Sequence, residues 1–245
     1  MAGWTDPRHE VLSPAIALAR ELADPIRLTA LQLLAAEGPH TMSQLAQALG
    51  VSAPRLGNHL ARLRDQGLVT VEHNGRHAVY RVAAPGLGDV LAALSRYANA
   101  ELDLRPDRPP PSPADVAHTC YDHAAGRLGI AVFGTLVARG ALVPPDGRDD
   151  QLTLGPDRAA LTELGVDVDA LDTGRRKLAT ACLDKIYRLP HLGGALGKAV
   201  LDTFLDRKLV ARQEGTRVLT VTPKGKAALP VLLRDFSTER LPEGA

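Results

Sequence analysis

The chain has 245 residues, a length that suits one large domain or two modest ones. Its 45% hydrophobic and 23% charged residues are typical of a soluble globular protein, and with 3% aromatics the core must consist mainly of Leu, Val and Ala. The net charge of +1 excludes a general polycation, so any nucleic-acid contact would have to come from a local basic patch.

The N-terminal stretch and the hydropathy indicate a cytoplasmic protein. Met1 to Trp4 is short and polar and lacks the apolar core of a signal peptide. No apolar run approaches the ~20 residues of a membrane span, and two cysteines do not indicate a disulfide framework. We therefore expect a cytoplasmic location and no membrane partner.

Two helices and a tight turn are predicted in the first informative segment. Asp24 followed by Pro25 is typical of a helix start, with a capping side chain and a proline at the first helical position. Thr41 caps a shorter helix, and the turn from Gly50 to Ser52 leads out of it.

A third helix and a β-hairpin follow. Ser52 is predicted to cap this helix, whose apolar residues recur at i, i+4 and i+7 and are Leu56, Leu60 and Leu63. Residues 68–72 alternate as in a strand, Asn74-Gly75 is a strong hairpin signal, and residues 77–82 return as the second strand. Helix, turn, helix and hairpin in this order predict a winged helix-turn-helix.

The second helix of such a pair enters the DNA major groove by its N-terminal residues, and the base edges there carry a readable donor and acceptor code. The region from Ser52 to Arg81 has five Arg against two acidic residues, so it is locally basic. Arg76, at the hairpin tip, could reach a minor groove or phosphates. The predicted DNA-contacting residues are Ser52, Arg55, Asn58, His59, Arg62, Arg76 and His77.

Together these segments resemble the ArsR/SmtB family of bacterial repressors. The resemblance covers roughly residues 8–103 and implies a homodimer, a repressor role, and a helix over 87–102 that packs on the partner. Gly57 departs from the small hydroxyl residue expected at its position. The segments that carry the resemblance are Leu22–Leu28, Gln44–Ala46, Val51–Ser52, His59–Leu63, Gly67–Val69 and Gly75–Arg81.

The two metal sites that the family resemblance implies cannot be assigned to residues of this chain. One uses a thiolate pair on the helix before the recognition helix, and residues 41–47 contain no Cys. The other uses Asp and His on the dimer helix, and Gly88 to Asp103 contains no His. An ordinary zinc or arsenic sensor is therefore not predicted.

Residues 105–113 hold five prolines in nine positions and predict an extended linker. They divide the chain into a winged helix-turn-helix DNA-binding and dimerisation domain over 8–104 and a C-terminal domain over 114–245. The latter contains an internal repeat, Cys-x-Asp followed by His-x-x-Gly-x-Leu-Gly, beginning at Cys120 and again at Cys182. Each copy predicts helix, helix, short β-ribbon and helix, so the fold class is mainly α with small β-hairpins.

The repeated residues are candidates for sensing an effector. Cys120 and His123, three positions apart, are expected on one helix face, and Cys182 and His191 could complete a set of four ligands for zinc or copper. A cleft between the two copies would add Tyr121 and Tyr187. The residue types favour the simpler alternative, in which the thiols and imidazoles only pack or line a pocket for an organic ligand.

These observations predict a sequence-specific DNA-binding transcriptional regulator, a dimeric repressor released by an effector. The alternative is a winged helix that binds protein partners or shapes DNA without an effector. The sequence has no nucleophile elbow, P-loop, paired-His metal motif or dinucleotide fingerprint, so we expect no enzymatic activity and no required cofactor.

Overall fold

The computed structural model describes residues 6, 9–74, 77–84, 86–103, 105, 107 and 109–239. The elements before the proline-rich stretch are α1 (Leu12–Leu22), α2 (Pro25–Glu37), β1 (His40–Thr41), α3 (Met42–Leu49), α4 (Ala53–Asp65), β2 (Val69–Asn74), β3 (His77–Val82) and α5 (Leu87–Asp103). Those after it are α6 (Pro113–Val116), β4 (His118–Cys120), β5 (His123–Ala125), α7 (Gly126–Ala138), α8 (Ala159–Glu163), β6 (Thr180–Leu183), β7 (Pro190–Gly193), α9 (Gly194–Asp206), β8 (Val210–Arg212), β9 (Leu219–Val221) and α10 (Pro223–Leu232).

Local hydrogen bonds start the helices of the N-terminal half. The Asp24 carboxylate accepts the Ile26 and Arg27 amides at the start of α2. Thr41 and Gln44 form a reciprocal capping box at the start of α3. Ser52 is the N-cap residue of α4, as predicted, but its side chain makes no capping hydrogen bond. Pro54, at the second helical position, has no amide hydrogen for it to accept.

The winged helix-turn-helix predicted from the sequence is confirmed. Strands β2 and β3 form an antiparallel hairpin in which Val71 faces Tyr80, and β1, which the sequence analysis did not predict, pairs with the other edge of β3. The helices and hairpin enclose an aliphatic core whose fully buried members include Leu31, Leu34, Leu45, Leu56, Leu60 and Leu63.

The C-terminal half contains three two-stranded antiparallel sheets within the described residues, each packed with helices around a second core. The helix predicted to carry Cys120 and His123 is not there, since the two residues pair across the β4–β5 hairpin. Tyr121 reverses the chain with a left-handed φ of 58°. No glycine marks this turn, which is why the local sequence does not signal a hairpin.

The two halves contact each other directly. The Leu183 amide donates to Glu37 Oε1 at 2.7 Å, and Asn99 Nδ2 donates to the Tyr187 carbonyl at 2.8 Å. The Leu183 side chain is buried in the core of the N-terminal half. The division of the chain at residues 105–113 stays a prediction. In the part of the chain that the structure describes, no helix is both long and apolar enough to cross a bilayer.

Candidate functional site

Helix α4 presents two faces. Its Leu56, Leu60 and Leu63 side chains are buried in the core, which leaves Arg55 and Asn58 exposed near the helix N-terminus. Exposed donors on the N-terminal turns of this helix are what a major-groove contact requires. Ser52, directly before the helix, is also exposed.

Two of the predicted DNA-contacting residues on α4 contact carboxylates at the end of α1 and at the N-cap of α2. Arg62 donates to both oxygens of Glu21, with Nε–Oε2 at 2.8 Å and Nη2–Oε1 at 2.9 Å. His59 is half-buried, and its Nδ1 lies 3.4 Å from Asp24 Oδ1. In this structure both side chains therefore face the α1–α2 region. Arg76 lies outside the described residues, as does the side chain of His77.

Glu21 is a buried carboxylate that the sequence analysis missed. Only 3% of it is exposed, and Arg27 Nε also lies 3.0 Å from its Oε2. The hydrogen bonds from Arg62 hold the pKa of Glu21 below its usual value, against the opposing effect of burial. The sequence signal for Glu21 is weak, because Arg20 beside it suggests an ordinary charged helix end and its partner Arg62 lies 41 residues away.

The four Cys and His residues of the repeat meet in one cluster. Cys120 is the register partner of His123 on β4–β5, and Cys182 is that of His191 on β6–β7. Their ligand atoms all lie within 4.8 Å of one another. The two sulfurs are 3.8 Å apart, and the imidazole centroids are 5.2 Å apart. Each hairpin thus contributes one sulfur and one nitrogen.

The imidazoles in this cluster are buried and short of hydrogen-bond partners. His123 is 6% exposed and His191 is 1% exposed. Among the described residues, His123 Nε2 and both ring nitrogens of His191 have no partner. His123 Nδ1 lies 3.5 Å from the carboxylate of Asp122, which is itself paired with Arg176. Buried polar atoms left unpaired are unfavourable, and they indicate a missing ligand at such a site.

Two glycines allow the close packing of helices and hairpins around the cluster. A Cβ on Gly129 would come 2.2 Å from the Ala124 carbonyl oxygen and 3.2 Å from His191 Cβ. A Cβ on Gly197 would come 2.4 Å from the Leu192 carbonyl oxygen and 3.2 Å from His123 Cβ. The histidine of each hairpin therefore packs against the helix of the other unit, at the final glycine of the repeated motif.

The two thiols are not equivalent. The hydrogen bond from Cys182 and the two neighbouring imidazoles lower the pKa of the Cys120 thiol despite its burial. That same hydrogen bond, burial and the nearby Glu37 carboxylate raise the pKa of Cys182. Cys120 is accordingly the thiol that ionises first, and a thiolate is the form that binds metals.

Glu37 joins this cluster to the DNA-binding half. Besides accepting the Leu183 amide, it lies 3.5 Å from His40 Nε2, just before α3. Burial alone would raise the pKa of Glu37, but hydrogen bonds from His40 and Leu183 outweigh burial and hold that pKa below its usual value. Glu37 was not among the residues predicted from the sequence, although an acidic residue in the last turn of a helix is unfavourable there and so indicates a partner.

Of the two tyrosines predicted near the cluster, Tyr121 lines a shallow pocket together with His123, Thr180 and Gly194. Tyr121 is 87% exposed. Tyr187 is buried and accepts a hydrogen bond from Arg127 Nε at 3.0 Å. It lines a cavity of about 630 Å³ between α2, α5 and α7, whose other polar lining residues include Arg96 and Asn99.

The chain is similar to bacterial regulatory proteins. The family model described as bacterial regulatory protein, arsR family, matches residues 24–71. YdfF of Bacillus subtilis (strain 168), an uncharacterised HTH-type transcriptional regulator, is 31% identical over 219 residues, which are 89% of this chain and 96% of YdfF. The HTH-type transcriptional repressor SmtB of Mycobacterium tuberculosis is 36% identical over 95 residues, covering 39% of this chain and 70% of SmtB.

Among solved structures, the homodimeric winged helix-turn-helix DNA-binding domain Mb0332 from Mycobacterium bovis is 27% identical with a TM-score of 0.37. That match covers 44% of this chain and 100% of the domain. The similarity to YdfF, by contrast, extends through both halves of the chain.

Proposed function

Because the chain belongs to the ArsR family of bacterial regulatory proteins and is thus a DNA-binding transcriptional regulator, we propose that it is a dimeric repressor whose C-terminal half responds to an effector. The observation that carries the DNA-binding part is α4, with its leucines buried and Arg55 and Asn58 exposed at its N-terminal end. Ser52 and the wing residues Arg76 and His77 would add contacts to the phosphate backbone of the DNA. We propose that it acts in the cytoplasm and has no catalytic role.

Helix α5 supports the dimer. Val90, Leu94 and Tyr97 follow at i, i+4 and i+7 and are 47%, 41% and 66% exposed. A contiguous apolar stripe of this kind indicates a protein contact. A second copy packed on it about a two-fold axis would present two α4 helices about one DNA turn apart, so the operator would be an inverted repeat.

Light scattering with matched variants tests the dimer. Leu94→Asp should turn a dimer into a monomer and weaken operator binding, because it places a charge in the apolar contact. Val231 on α10 is also an exposed apolar residue, 86% exposed, but it lies outside the proposed dimer contact. Val231→Asp is therefore the control and should leave the molar mass of the dimer unchanged. A wild-type monomer at micromolar concentration would contradict the proposed dimer.

DNA selection tests the regulator itself. Genomic fragments retained by the full chain should share an inverted repeat, and a gel shift on that repeat should weaken as salt rises, because cationic side chains displace counterions from phosphates. Binding without sequence preference would favour the architectural alternative. No DNA binding at all would favour a winged helix that contacts protein partners.

The site of the effector is the second part of the proposal. The Cys/His cluster has buried nitrogens without hydrogen-bond partners among the described residues, and its strand β6 contacts α2 through Leu183 and Glu37. The cavity beside Tyr187 and Arg127 is the candidate site for an organic effector instead, because it lies directly between the two halves.

A further inference from the structure

We propose that Cys120, His123, Cys182 and His191 form a closed four-coordinate site for one zinc(II) ion per chain. The site is distinct from the thiolate pair and from the dimer-helix site that the family resemblance suggests, since the residues needed for both are missing from this sequence. It unites two hairpins that are about sixty residues apart along the chain, as the separation of 62 between Cys120 and Cys182 shows.

The spacing of the ligand atoms matches tetrahedral zinc. With Zn–S bonds of about 2.3 Å and a tetrahedral angle, two coordinating sulfurs lie about 3.8 Å apart. The Cys120 and Cys182 sulfurs are 3.8 Å apart in this structure. All four ligand atoms lie within 4.8 Å of one another, so an ion at their centre needs only small side-chain shifts. Two sulfurs and two imidazole nitrogens form an established zinc ligand set.

The unpaired nitrogens are what a metal ion would satisfy. The Nδ1 atom of His123 faces the Asp122 carboxylate, which leaves Nε2 on the other side of the ring to bind the metal. Carboxylates commonly orient metal-binding imidazoles in this way. His191, 1% exposed, offers a second ring nitrogen without a partner among the described residues. Four protein ligands would fill the tetrahedral shell and leave no open coordination position for a substrate, which is typical of a structural or regulatory zinc site.

A disulfide between the two cysteines explains less of the cluster. Their sulfurs would have to approach from 3.8 Å to about 2.05 Å. The bond would also leave both imidazoles buried and unpaired, whereas a zinc ion takes one nitrogen from each. The geometry therefore favours metal binding over a redox pair.

Occupancy of the site would reach the DNA-binding half through β6. Cys182 precedes Leu183, whose amide binds Glu37 at the end of α2 and whose side chain lies in the N-terminal core. His40, the other partner of Glu37, leads into α3. This step rests on the proposed repressor function. In this proposal, zinc binds more tightly to the conformation that α3, α4 and β6 adopt without DNA. Zinc binding therefore lowers the affinity for the operator.

Cobalt(II) is the spectroscopic probe for the site. The reduced, metal-free full-length chain should bind one Co(II) with the intense visible bands of tetrahedral cobalt and a thiolate charge-transfer band, and one equivalent of Zn(II) should abolish both. Cys182→Ser and His191→Gln should lose these bands. His118→Gln, on the same hairpin as Cys120 but outside the cluster, should keep them.

Thiol alkylation keeps the test independent of how well a variant folds. In the wild-type chain, zinc should protect both cysteines from iodoacetamide. Two free, equally reactive thiols in the presence of zinc would overturn the site. So would mild oxidation that joins the cysteines at the same rate with and without zinc, and the pair would then be a redox couple.

A gel shift separates the site from its regulatory consequence. Zinc should raise the operator Kd of the wild-type chain between about fivefold and 150-fold. Glu37→Ala should bind cobalt normally but show a smaller zinc effect, whereas Glu214→Ala, in the exposed β8–β9 turn, should behave as wild type. Normal cobalt binding without any effect on DNA would leave the metal site standing and contradict the proposed effector response. Normal DNA binding without cobalt binding would contradict the metal site and leave the proposed DNA-binding function standing.

Discussion

Glu21 shows how a single buried carboxylate positions the α4 helix. It accepts from Arg62 on α4 and contacts Arg27 on α2, so three helices meet at one charge. Burying that carboxylate is unfavourable unless both guanidinium groups remain in place. The Arg62 side chain therefore stabilises the winged domain by pairing with Glu21, and its contact with DNA stays a prediction.

The lowered pKa of Glu21 predicts acid sensitivity. A depressed folded-state pKa contributes stability above the unfolded value of about 4.5, and this contribution is lost as the pH falls through the folded pKa. Glu21→Gln should lower the free energy of unfolding by about 2 kcal/mol at pH 7, the value of a hydrogen bond to a charged group. Its stability should also fall less steeply below pH 4.5 than that of the wild type. Urea titrations at several pH values measure both, with exposed Glu10→Gln as the control. Parallel pH profiles for Glu21→Gln and wild type would contradict this role.

Asn58 is the exposed amide on α4 best placed to contact a base. Asn58→Ala should weaken operator binding by about 1–3 kcal/mol, the value of a good bidentate contact to adenine, and should weaken random-DNA binding much less. Gln66, an exposed amide just after α4, provides the control Gln66→Ala, for which we expect little change. Equal losses on operator and random DNA would show that Asn58 does not read bases.

At the scale of elements, each hairpin-and-helix unit depends on a glycine where its helix packs against its own hairpin, Gly129 in the first and Gly197 in the second. Gly129→Ala should destabilise the chain by about 1–3 kcal/mol, because the added methyl group meets a backbone carbonyl that cannot move freely. Gly134, five residues later on α7, has no neighbouring atom within 4 Å of an added Cβ, so Gly134→Ala should instead stabilise by up to about 1 kcal/mol through helix propensity. Thermal unfolding of the two variants measures the difference, and the same sign for both would refute the tight packing of α7 on β5.

Some elements of this chain follow from the local sequence and others do not. The capping box at Thr41 and the leucine stripe of α4 appear as predicted, because each depends on residues within one or two turns. The hairpin at Cys120 does not follow such a rule. Its turn residue Tyr121 adopts φ 58° without being glycine or asparagine, and the surrounding packing holds it there.

At the scale of the whole molecule, Leu183 makes the two halves one structural unit. Leu183→Ala should lower the free energy of unfolding by about 2–3 kcal/mol, because it leaves a cavity in the core of the other half. Amide hydrogen exchange should also become faster in α2, because the Leu183 amide donates a hydrogen bond to Glu37 at the end of that helix. Leu183→Met, which conserves volume, is the control and should restore most of the stability. Unchanged exchange in α2 for Leu183→Ala would mean that the halves are energetically independent.

The sequence by itself determined the winged helix-turn-helix, its family and the identity of the four Cys and His residues. Capping motifs, helix periodicity and the Asn-Gly turn act over a few residues and can be recognised without a structure. Only the tertiary structure decided that Cys120 and Cys182 meet, that Arg62 binds Glu21, and that Leu183 fills the core of the other half. The physical reason is that these contacts join residues 41 to 146 positions apart, and their free energy comes from packing surfaces that exist once both halves have folded.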